Sequence, residues 1–588
     1  MARFAYLAMA LIFAPLAFSQ ETTLEEIVVT SSFTHQVQGQ NESSVEVISG
    51  DNITQNLSQS LGEHLSTTLG VSSNNFGPAV GQPVIRGMSG NRVKVLQNNM
   101  VVRDVSGIGP DHPVDLDLSN IEQIEIVRGA AALLHSNGAS GGIINIGDNT
   151  NARTDIEEPI VTLSAEQQTG NKGEGFTAAL KQNIAGFNLS YSFSGFDAQN
   201  YEIPSGAVLH DEEHDEHDDE DEHDEDMGTL ANSDFETKTH RFGLSKTGDW
   251  GYIGASYQDL SYTYGIPFHG GGHEEEHEGG DHDDDHEGED HEGEEGHDEH
   301  EGERIVSKTD SEVITLEGQL NLNGALLNSI QFSVRDTDYT LFEQHAEEAH
   351  EEGEHEDEHE DEHEGHSEEP TFFTNDSTEV QIVFNLGSAE HPRRIVLNQV
   401  TEKVAVLGEE AFMEPVKSSE TTLGAFAGFK TAGFDIDFGA RWDDVEREGM
   451  IREMHHDDEH EDEEEHHDDE EHEGEEEHHD EHGSFELEPF TFKDQSLSSA
   501  VTIGRELTDS LHASLNIALV NRTPSAMELF INGEHLAVAR YEVGNANLDM
   551  ERSNNLDFNL RYDDNTWFAN ASRYRNDVDD YIYLLDVS

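Results

Sequence analysis

The sequence has no cysteine, and it has only 31 lysine and arginine residues against 126 aspartate and glutamate residues, which gives a formal net charge of −95 at pH 7. The absence of cysteine excludes disulfide frameworks, thiolate metal sites, iron–sulfur clusters and cysteine nucleophiles. The shortage of basic residues excludes a nucleic-acid-binding protein, because binding to phosphates needs a positive field. Any metal chemistry must therefore use imidazole and carboxylate ligands.

Long apolar runs are also scarce. The first residues combine a positive charge at Arg3, an apolar stretch over residues 4–18 and small residues before Gln20. This pattern predicts that residues 1–19 are a secretory signal peptide. No later segment reaches about 18 uninterrupted apolar residues, which excludes membrane-spanning helices. An exported chain of this kind is either soluble or an outer-membrane β-barrel, because only a closed barrel otherwise satisfies every backbone group in lipid.

Acidic residues and histidines are abundant, and they are concentrated in four segments, which we call the acidic tracts: residues 210–226, 269–303, 343–369 and 453–482. The tracts contain 27 of the 35 histidines, 65 of the 126 acidic residues and no lysine or arginine. A run of acidic residues alone is most simply a solvated, disordered loop. The concentration of histidine in the same segments favours metal capture instead.

The chain divides into two regions with different patterns of apolar and polar residues. Residues 40–150 have the pattern of a small α/β domain, with a short strand at 45–48, a one-sided helix predicted over 58–69 from leucines at four-residue spacing, and later strands. Residues 155–588 contain about fifteen segments of roughly ten residues that alternate between apolar and polar side chains, as Phe187 to Phe196 does. The second pattern is typical of a transmembrane antiparallel β-barrel.

The connections between these segments support the barrel. Short turns alternate with long connections, and the acidic tracts fall only in the long ones. An up-and-down barrel has short periplasmic turns at one rim and long loops at the other. We therefore expect all four tracts to project from the extracellular rim.

Several motifs resemble those of TonB-dependent outer-membrane receptors. The segment Glu25, Glu26, Ile27, Val28, Val29 and Thr30 is similar to the TonB box, which adds a strand to the energy-coupling protein TonB. Four linked motifs at 82–87, 91–98, 121–129 and 133–146 occur in the order found in the family's plug domain, and 522–530, 541–545 and 548–556 are similar to its late-barrel block. The histidine-rich loops, together with 528–535, resemble zinc receptors of the ZnuD type.

The resemblance implies a domain organisation. Residues 1–19 would be the signal peptide, 20–39 the TonB box and linker, 40–150 the plug and 155–588 the barrel. Members of the family close with 22 strands, so about fifteen strands imply that the C-terminal part of the barrel is missing. The implied setting is a monomer in the outer-membrane lipid of a Gram-negative bacterium, with TonB as partner. Arg86, Arg92 and Arg128 of the plug would meet acidic groups on the inner barrel wall.

The resemblance to zinc receptors also implies a transport site. Asp111 and His112 lie in a turn-forming segment, Gly109 to Pro113, that should face the outer mouth. His535 and Glu410, from predicted outer loops, would complete a four-coordinate site without thiols. A loop histidine is more simply a turn residue, and the family context is what favours the metal site.

The tracts would serve as an accessory, multivalent trap of many weak sites rather than one rigid site. The pairs and triplets spaced to share an ion involve twelve histidines: His214, His217, His273, His277, His282, His286, His355, His359, His363, His455, His456 and His460. Protons should compete with the metal there, so capture should weaken as the pH falls.

The sequence contains no nucleophile, base and orienting group in a recognisable arrangement and no phosphate-binding loop, because the glycines at 138–142 lead into a strand instead of a helix. We therefore expect a transporter and no enzyme, with Zn²⁺ or a zinc complex as the transported ligand and no permanently bound cofactor. The alternatives are a receptor for nickel, copper, haem or a siderophore, and a surface metal buffer that transports nothing.

Overall fold

A computed structural model of the chain describes residues 45–49, 53, 60–119, 121–148, 150–204, 207, 228–267, 304–322, 324, 326–346, 370–388, 391–408, 411–454, 485–538, 540–564 and 566–585. Several predictions concern residues outside this set: the signal peptide, the TonB box at 25–30, Glu410, the twelve accessory histidines and almost all of the acidic tracts.

The N-terminal domain is a small five-stranded mixed sheet with the strand order β1-β6-β7-β4-β5, accompanied by the hairpin β2–β3. Its elements are β1 (Val45–Ser49), α1 (Leu61–Leu65), β2 (Val71–Phe76), β3 (Val80–Ile85), β4 (Val93–Gln97), β5 (Met100–Val101), β6 (Gln123–Val127) and β7 (Gly142–Gly147), with 3-10 turns at Gly90–Arg92 and Gly129–Leu134. Strands β4 and β7 pair in parallel, and the other pairs are antiparallel.

The apolar pattern of this domain builds its core. Leu61 and Leu65 of α1 are buried against Ile124 and Ile144 of the sheet. The one-sided helix is therefore present, but it is shorter than predicted and ends at Leu65. Leu69, which the spacing placed on the same face, is 53% exposed, because the chain leaves the helix and turns at Gly70, whose φ is +74°.

Among the described residues after this domain, 15 strands form one antiparallel sheet, which confirms the predicted barrel class. Its strands are β8 (Ile160–Gln167), β9 (Glu174–Ile184), β10 (Phe187–Ala198), β13 (Phe235–Gly248), β14 (Gly251–Gly265), β15 (Arg304–Asn321), β16 (Leu327–Ala346), β17 (Thr371–Ser388), β18 (His391–Leu407), β19 (Val416–Thr431), β20 (Phe434–Met454), β21 (Phe485–Thr508), β22 (Leu511–Arg522), β25 (Glu551–Asp563) and β26 (Phe568–Asp579). Each strand pairs with the next in this series, and β8 and β26 stand at its two ends.

Smaller elements lie in the connections. They are the strand pairs β11 (Tyr201–Glu202) with β12 (Thr229–Leu230) and β23 (Asn532–His535) with β24 (Arg540–Val543), the helix α2 (Ala526–Phe530) and a 3-10 turn at Leu536–Val538. No helix among the described residues is long and apolar enough to cross a membrane.

Side-chain alternation explains the sheet. On β17 the inward residues Asn375 and Glu379 are polar and buried, whereas the outward residues Phe372 and Val380 are apolar and exposed. A membrane barrel needs this arrangement, with an apolar surface toward lipid and a polar interior.

The two rims also differ as predicted. Tight turns join β9 to β10 through Ala185 and Gly186, and β19 to β20 through Ala432 and Gly433, each with two successive positive φ values. Such turns match the twist of a hairpin. The chain segments that contain the acidic tracts follow β11, β14, β16 and β20, and they therefore all join strands at the opposite rim.

The N-terminal domain lies inside the sheet and is tied to it by ion pairs. Arg86 pairs with Asp557 of β25 at 2.5 Å, and Arg92 pairs with Glu551. These two contacts agree with the prediction for the arginines of this domain. Arg128 differs, because its nearest carboxylate is Glu46 of β1, at 3.8 Å, within its own domain.

Candidate metal-binding site

The site begins with the loop that follows β5, residues 102–115. One buried side chain contacts this loop at three points. The amide nitrogen of Gln82, on β3, lies 2.8, 2.9 and 3.0 Å from the carbonyl oxygens of Ser106, Gly109 and His112. Tyr264 of the barrel donates a further hydrogen bond of 3.1 Å to the carbonyl of Asp111. These contacts fix the neighbouring side chains of Asp111 and His112, both of which are fully buried.

The barrel contributes two further residues near the rim that carries the acidic tracts. Glu343 is close to the end of β16, on the inward face, and His535 is the last residue of β23. The connection that carries His535 is ordered by α2, which begins with a capping box between Ser525 and Glu528. Glu528 also accepts two hydrogen bonds from Arg522, at 2.8 and 2.9 Å, which anchors α2 to β22.

The structure brings Asp111, His112, Glu343 and His535 together, with one potential ligand atom from each inside a group whose members all lie within 4.8 Å of one another. The Nε2 atom of His112 is 3.1 Å from Oδ2 of Asp111 and 3.4 Å from Oε1 of Glu343. The Nε2 atom of His535 is 3.6 Å from the same Oδ2. All four residues are buried.

These distances match one coordinated ion. Zinc binds nitrogen and oxygen ligands at about 2.0 to 2.2 Å in a tetrahedron, so its ligand atoms are about 3.3 to 3.6 Å apart. The three measured separations, 3.1, 3.4 and 3.6 Å, lie in or beside that interval. Three of the six separations are therefore those of a tetrahedral site, and all six are within 4.8 Å.

Five polar atoms of Asp111, His112 and His535 lack hydrogen-bond partners in the part of the chain that the structure describes. Among the described residues, neither carboxylate oxygen of Asp111, nor Nε2 of His112, nor either ring nitrogen of His535 has a hydrogen-bond partner. Buried polar atoms are nearly always paired, because leaving them unpaired costs free energy. Several unpaired atoms that converge on one point indicate a ligand that completes them.

Electrostatics in the ion-free site favour charged side chains. Burial would raise the pKa of Asp111, but the imidazoles of His112 and His535 outweigh it and lower the pKa to about 2. Burial would likewise lower the pKa of His535, but Asp111 and Glu542 raise it to about 10. The pKa of His112 is also raised, because the carboxylates of Asp111 and Glu343 outweigh its burial. Without an ion, protons on the histidines balance the carboxylates.

Contacts at the Nδ1 nitrogens, together with the surrounding aromatic rings, orient His112 and His535. Nδ1 of His112 is 3.3 Å from the carbonyl oxygen of Val105, and Nδ1 of His535 is 3.8 Å from Glu542. Metal-binding histidines usually have such a carbonyl or carboxylate behind them. The ring of Phe373 packs 4.8 Å from His112, and the ring of Phe412 packs 5.2 Å from His535. This aromatic wall excludes water from the site.

A glycine allows the close approach of the two domains. A Cβ atom on Gly109 would lie 2.2 Å from Oδ1 of Asp111 and 3.0 Å from Cε1 of His535. A side chain at this position would therefore collide with one ligand and crowd another.

Sequence reasoning identified three of the four residues that the structure groups. Asp111, His112 and His535 lie together, whereas Glu410 is outside the described residues. The sequence does not identify Glu343 as a ligand, because its composition makes it the first acidic residue of the tract 343–369. The alternation of β16 could have revealed it, since Tyr339, Leu341 and Glu343 have the same parity and all face inward.

The fold and site define a class of protein: an outer-membrane β-barrel whose interior holds a separate α/β plug. Two family models match the chain. The TonB-dependent Receptor Plug Domain matches residues 38–143, and the TonB dependent receptor-like β-barrel matches residues 135–588. The chain therefore belongs to the TonB-dependent receptors, a family of the outer membrane of Gram-negative bacteria.

Individual relatives are distant. The iron-regulated outer membrane virulence protein of Vibrio cholerae is 24% identical over 292 residues, which cover 43% of this chain and 44% of that protein. Among solved structures, the copper transporter OprC has a TM-score of 0.63 at 13% identity, covering 92% of this chain and 72% of its own. The Serratia marcescens hemophore receptor HasR, in complex with HasA and heme, has a TM-score of 0.64 at 13% identity, covering 92% and 73%. These structural likenesses show the fold alone.

Proposed function

We propose that this receptor binds Zn²⁺ at Asp111, His112, Glu343 and His535 and imports it with energy transmitted by TonB. The observation that carries the proposal is the group itself: four buried ligand atoms within 4.8 Å of one another, with three separations near those of a tetrahedral zinc site. Two carboxylates balance the charge of one divalent cation, so the occupied site is neutral and its burial is favourable.

The chemistry of the donors favours zinc among common cations. Calcium and magnesium prefer six or more oxygen ligands, whereas two of the four donors here are imidazole nitrogens. The small spacing and full burial of the group suit a bare ion better than a haem or a siderophore complex. Copper(II) and nickel(II) also accept imidazole and carboxylate ligands, so they are the competitors that an experiment must include.

The position of the site suggests how binding is coupled to movement. Asp111 and His112 belong to the plug, whereas Glu343 and His535 belong to the barrel. A pull on the plug separates the two pairs of ligands and leaves the ion with half of its coordination shell. The segment 25–30 would supply that pull by adding a strand to TonB. The energy transmitted by TonB would thus act directly on the metal ligands, by separating those of the plug from those of the barrel.

The acidic tracts would assist capture. They join strands at the rim near which Glu343 and His535 lie, and their carboxylates raise the local concentration of divalent cations. Many weak sites in these tracts would hold ions close to the site even though each site releases its ion quickly.

The test combines zinc binding with uptake. Loss of a direct ligand in His112→Ala or His535→Ala should weaken high-affinity Zn²⁺ binding by more than about 100-fold, the upper range for loss of a residue that only supports a ligand. His512→Ala is the matched control, because His512 is a buried barrel histidine that pairs with Glu506 outside the site. Wild-type zinc uptake by cells that carry His112→Ala would contradict the proposal.

A second variant separates binding from transport. Deletion of residues 25–30 should abolish zinc uptake and leave Zn²⁺ binding intact. If uptake is unchanged, TonB does not drive import through this segment. If the unaltered receptor binds zinc but cells that express it import none, the protein is a surface metal buffer. Preferential uptake of copper or nickel in competition with zinc would refute the choice of metal.

A further inference from the structure

A cavity lies directly behind the proposed zinc site, between the plug and the barrel strands β17 to β22. Its volume is about 180 Å³, and residues 104–108 of the 102–115 loop form part of its lining. The same loop carries Asp111 and His112, and the carbonyl of Val105 contacts the ring of His112. The loop that carries two of the proposed ligands therefore also lines the cavity, so an ion released from the site has a space along the same loop to enter.

Strand register brings oxygen ligands together on the barrel wall at this cavity: Asn375 and Glu402 line the cavity, and Glu379 is their neighbour on the wall. Glu402 of β18 lies opposite Ser377 of β17, and Asn375 and Glu379 flank Ser377 on the same inward face. Both glutamates therefore point to one area of the wall, with the amide of Asn375 beside them. The side-chain nitrogen of Asn375 donates a hydrogen bond of 3.1 Å to Glu402 and another of 2.8 Å to the carbonyl of Asp104.

The side-chain oxygen of the same residue, Asn375, has no hydrogen-bond partner among the described residues. Asn375 lines the cavity and is only 2% exposed, yet its Oδ1 atom makes no hydrogen bond among the described residues. Oε2 of Glu379, also 2% exposed, lacks a hydrogen bond as well and has only an ion-pair contact. Unpaired buried oxygens next to a cavity mark a place where a cation gains coordination.

A cation of the plug occupies this place in the present structure. The two terminal nitrogens of Arg103 lie 3.7 Å from Glu379 and 3.7 Å from Glu402. These separations are longer than hydrogen bonds, so the guanidinium balances the glutamates without clamping them. Glu420, which also lines the cavity, differs because Arg447 of the neighbouring strand donates a hydrogen bond of 3.2 Å to it. Arg447 belongs to the barrel and stays with its glutamate when the plug moves.

We propose that Glu379, Glu402 and Asn375 form a second divalent-cation site on the inward route, and that Arg103 holds it closed in the resting receptor. The inference rests on the zinc site proposed above. Arg103 lies in the same loop as Asp111 and His112, so a displacement of the loop withdraws the guanidinium and separates the upper ligands in one movement. Two wall carboxylates then become available when the ion is released, and the ion replaces the guanidinium as their counter-charge.

The test uses the purified receptor and Zn²⁺ alone, with anomalous difference maps recorded from crystals at the zinc absorption edge. In the unaltered receptor we expect one internal zinc ion, at the upper site. In Arg103→Gln, which lacks the guanidinium, we expect a second zinc ion beside Glu379 and Glu402. The double variant Arg103→Gln with Glu402→Gln should lose this second ion and keep the first.

Two control variants complete the experiment. Arg103→Lys keeps a tethered cation and should show no second ion. Arg153→Gln also leaves a wall carboxylate without its arginine, since Arg153 lies 3.5 Å from Glu317, but neither member of that pair lines the cavity, whereas Arg103 and Glu402 both do. A zinc ion beside Glu317 would mean that any unpaired wall glutamate collects zinc, and it would overturn the inference.

The outcomes separate the two proposals. If the upper site is empty in the unaltered receptor, the zinc function itself fails. If the upper site is filled but Arg103→Gln shows no second ion, only the second site is refuted. In cells, Glu402→Gln should slow zinc uptake by at least about tenfold, the lower range for loss of a supporting group at a metal site, with binding at the upper site unchanged. Uptake at the wild-type rate would contradict a role for this cavity in transport.

Discussion

Oδ2 of Asp111 and Nε2 of His535 approach to 3.6 Å, although Asp111 belongs to the plug and His535 to a connection between barrel strands. Elsewhere the plug and barrel meet through hydrogen bonds and ion pairs of oppositely charged groups, such as the pair between Arg86 and Asp557. An ion, or protons on the histidines, would make the Asp111–His535 contact favourable, because these carboxylate oxygens and ring nitrogens have no hydrogen-bond partner among the described residues. The plug and the barrel therefore meet at the proposed zinc site.

Gln82→Ala should weaken zinc binding, because the amide of Gln82 is the main support of the 102–115 loop. Its loss removes contacts to three carbonyls and allows Asp111 and His112 to drift. We expect a decrease in affinity of about 10- to 100-fold, as for other groups that orient metal ligands. Zinc titration of the purified receptor measures it.

Gln97→Ala is the control for this variant. Gln97 is an equally buried plug glutamine, but it donates hydrogen bonds to Asp148 and Gln258, away from the loop. If both variants lose affinity equally, the effect comes from general loosening of the plug, and the role assigned to Gln82 is wrong.

Gly109→Ala should weaken zinc binding without unfolding the barrel. The added methyl group would lie 2.2 Å from Oδ1 of Asp111, so the carboxylate must turn away from the ion. Gly107→Ala is the comparison in the same loop, because its methyl group would meet the side chain of Asn91 at 3.0 Å and no ligand. Equal affinities for the two variants, measured by the same titration, would show that Gly109 does not shape the site.

Glu343→Gln should reduce zinc affinity, because a neutral amide is a weaker ligand and the occupied site would keep a net positive charge. Glu317→Gln provides the control, since Glu317 is also a buried carboxylate on the inner barrel face but lies outside the group. An unchanged affinity in Glu343→Gln would remove this residue from the ligand set and reopen the search for the fourth ligand, with Glu410 first.

Zinc binding should weaken as the pH falls, and zinc should displace protons when it binds. The pKa of His535 is raised to about 10, so its ring holds a proton at neutral pH until the ion arrives, and the raised pKa of His112 acts in the same direction. Because a zinc ligand must be deprotonated, each step down in pH favours the competing protons. Titration calorimetry in buffers of different ionisation enthalpy measures the released protons. A zinc affinity independent of pH between 5 and 8 would contradict this assignment.

The sequence predicted more of the fold than of the site. Two patterns were sufficient to predict the barrel: apolar and polar residues alternate along each strand, and the acidic tracts occur only in every second connection. Both patterns follow directly from a sheet that faces lipid and has two different rims. Asp111, His112 and His535 came from a family resemblance, and no local pattern shows that residues so far apart in the chain meet. Glu343 was hidden by its neighbours, because a strand end that runs into an acidic tract has the composition of the tract.

Two smaller predictions were wrong because a local sequence pattern does not specify how the plug packs. The helix predicted over 58–69 ends at Leu65, since leucine spacing does not reveal where the chain must turn toward β2. Arg128 contacts Glu46 of its own domain because the partner of an arginine depends on the packing of the plug, which the motif does not specify.

The most direct test is the zinc X-ray absorption spectrum of the receptor loaded with one equivalent of Zn²⁺, so that the tightest site fills first. We expect four nitrogen and oxygen neighbours at about 2.0 to 2.2 Å, together with the outer-shell signal of two imidazole rings. We also expect that this signal changes in the double variant His112→Ala with His535→Ala. An identical spectrum for the two proteins would place the first zinc ion elsewhere and contradict the central claim.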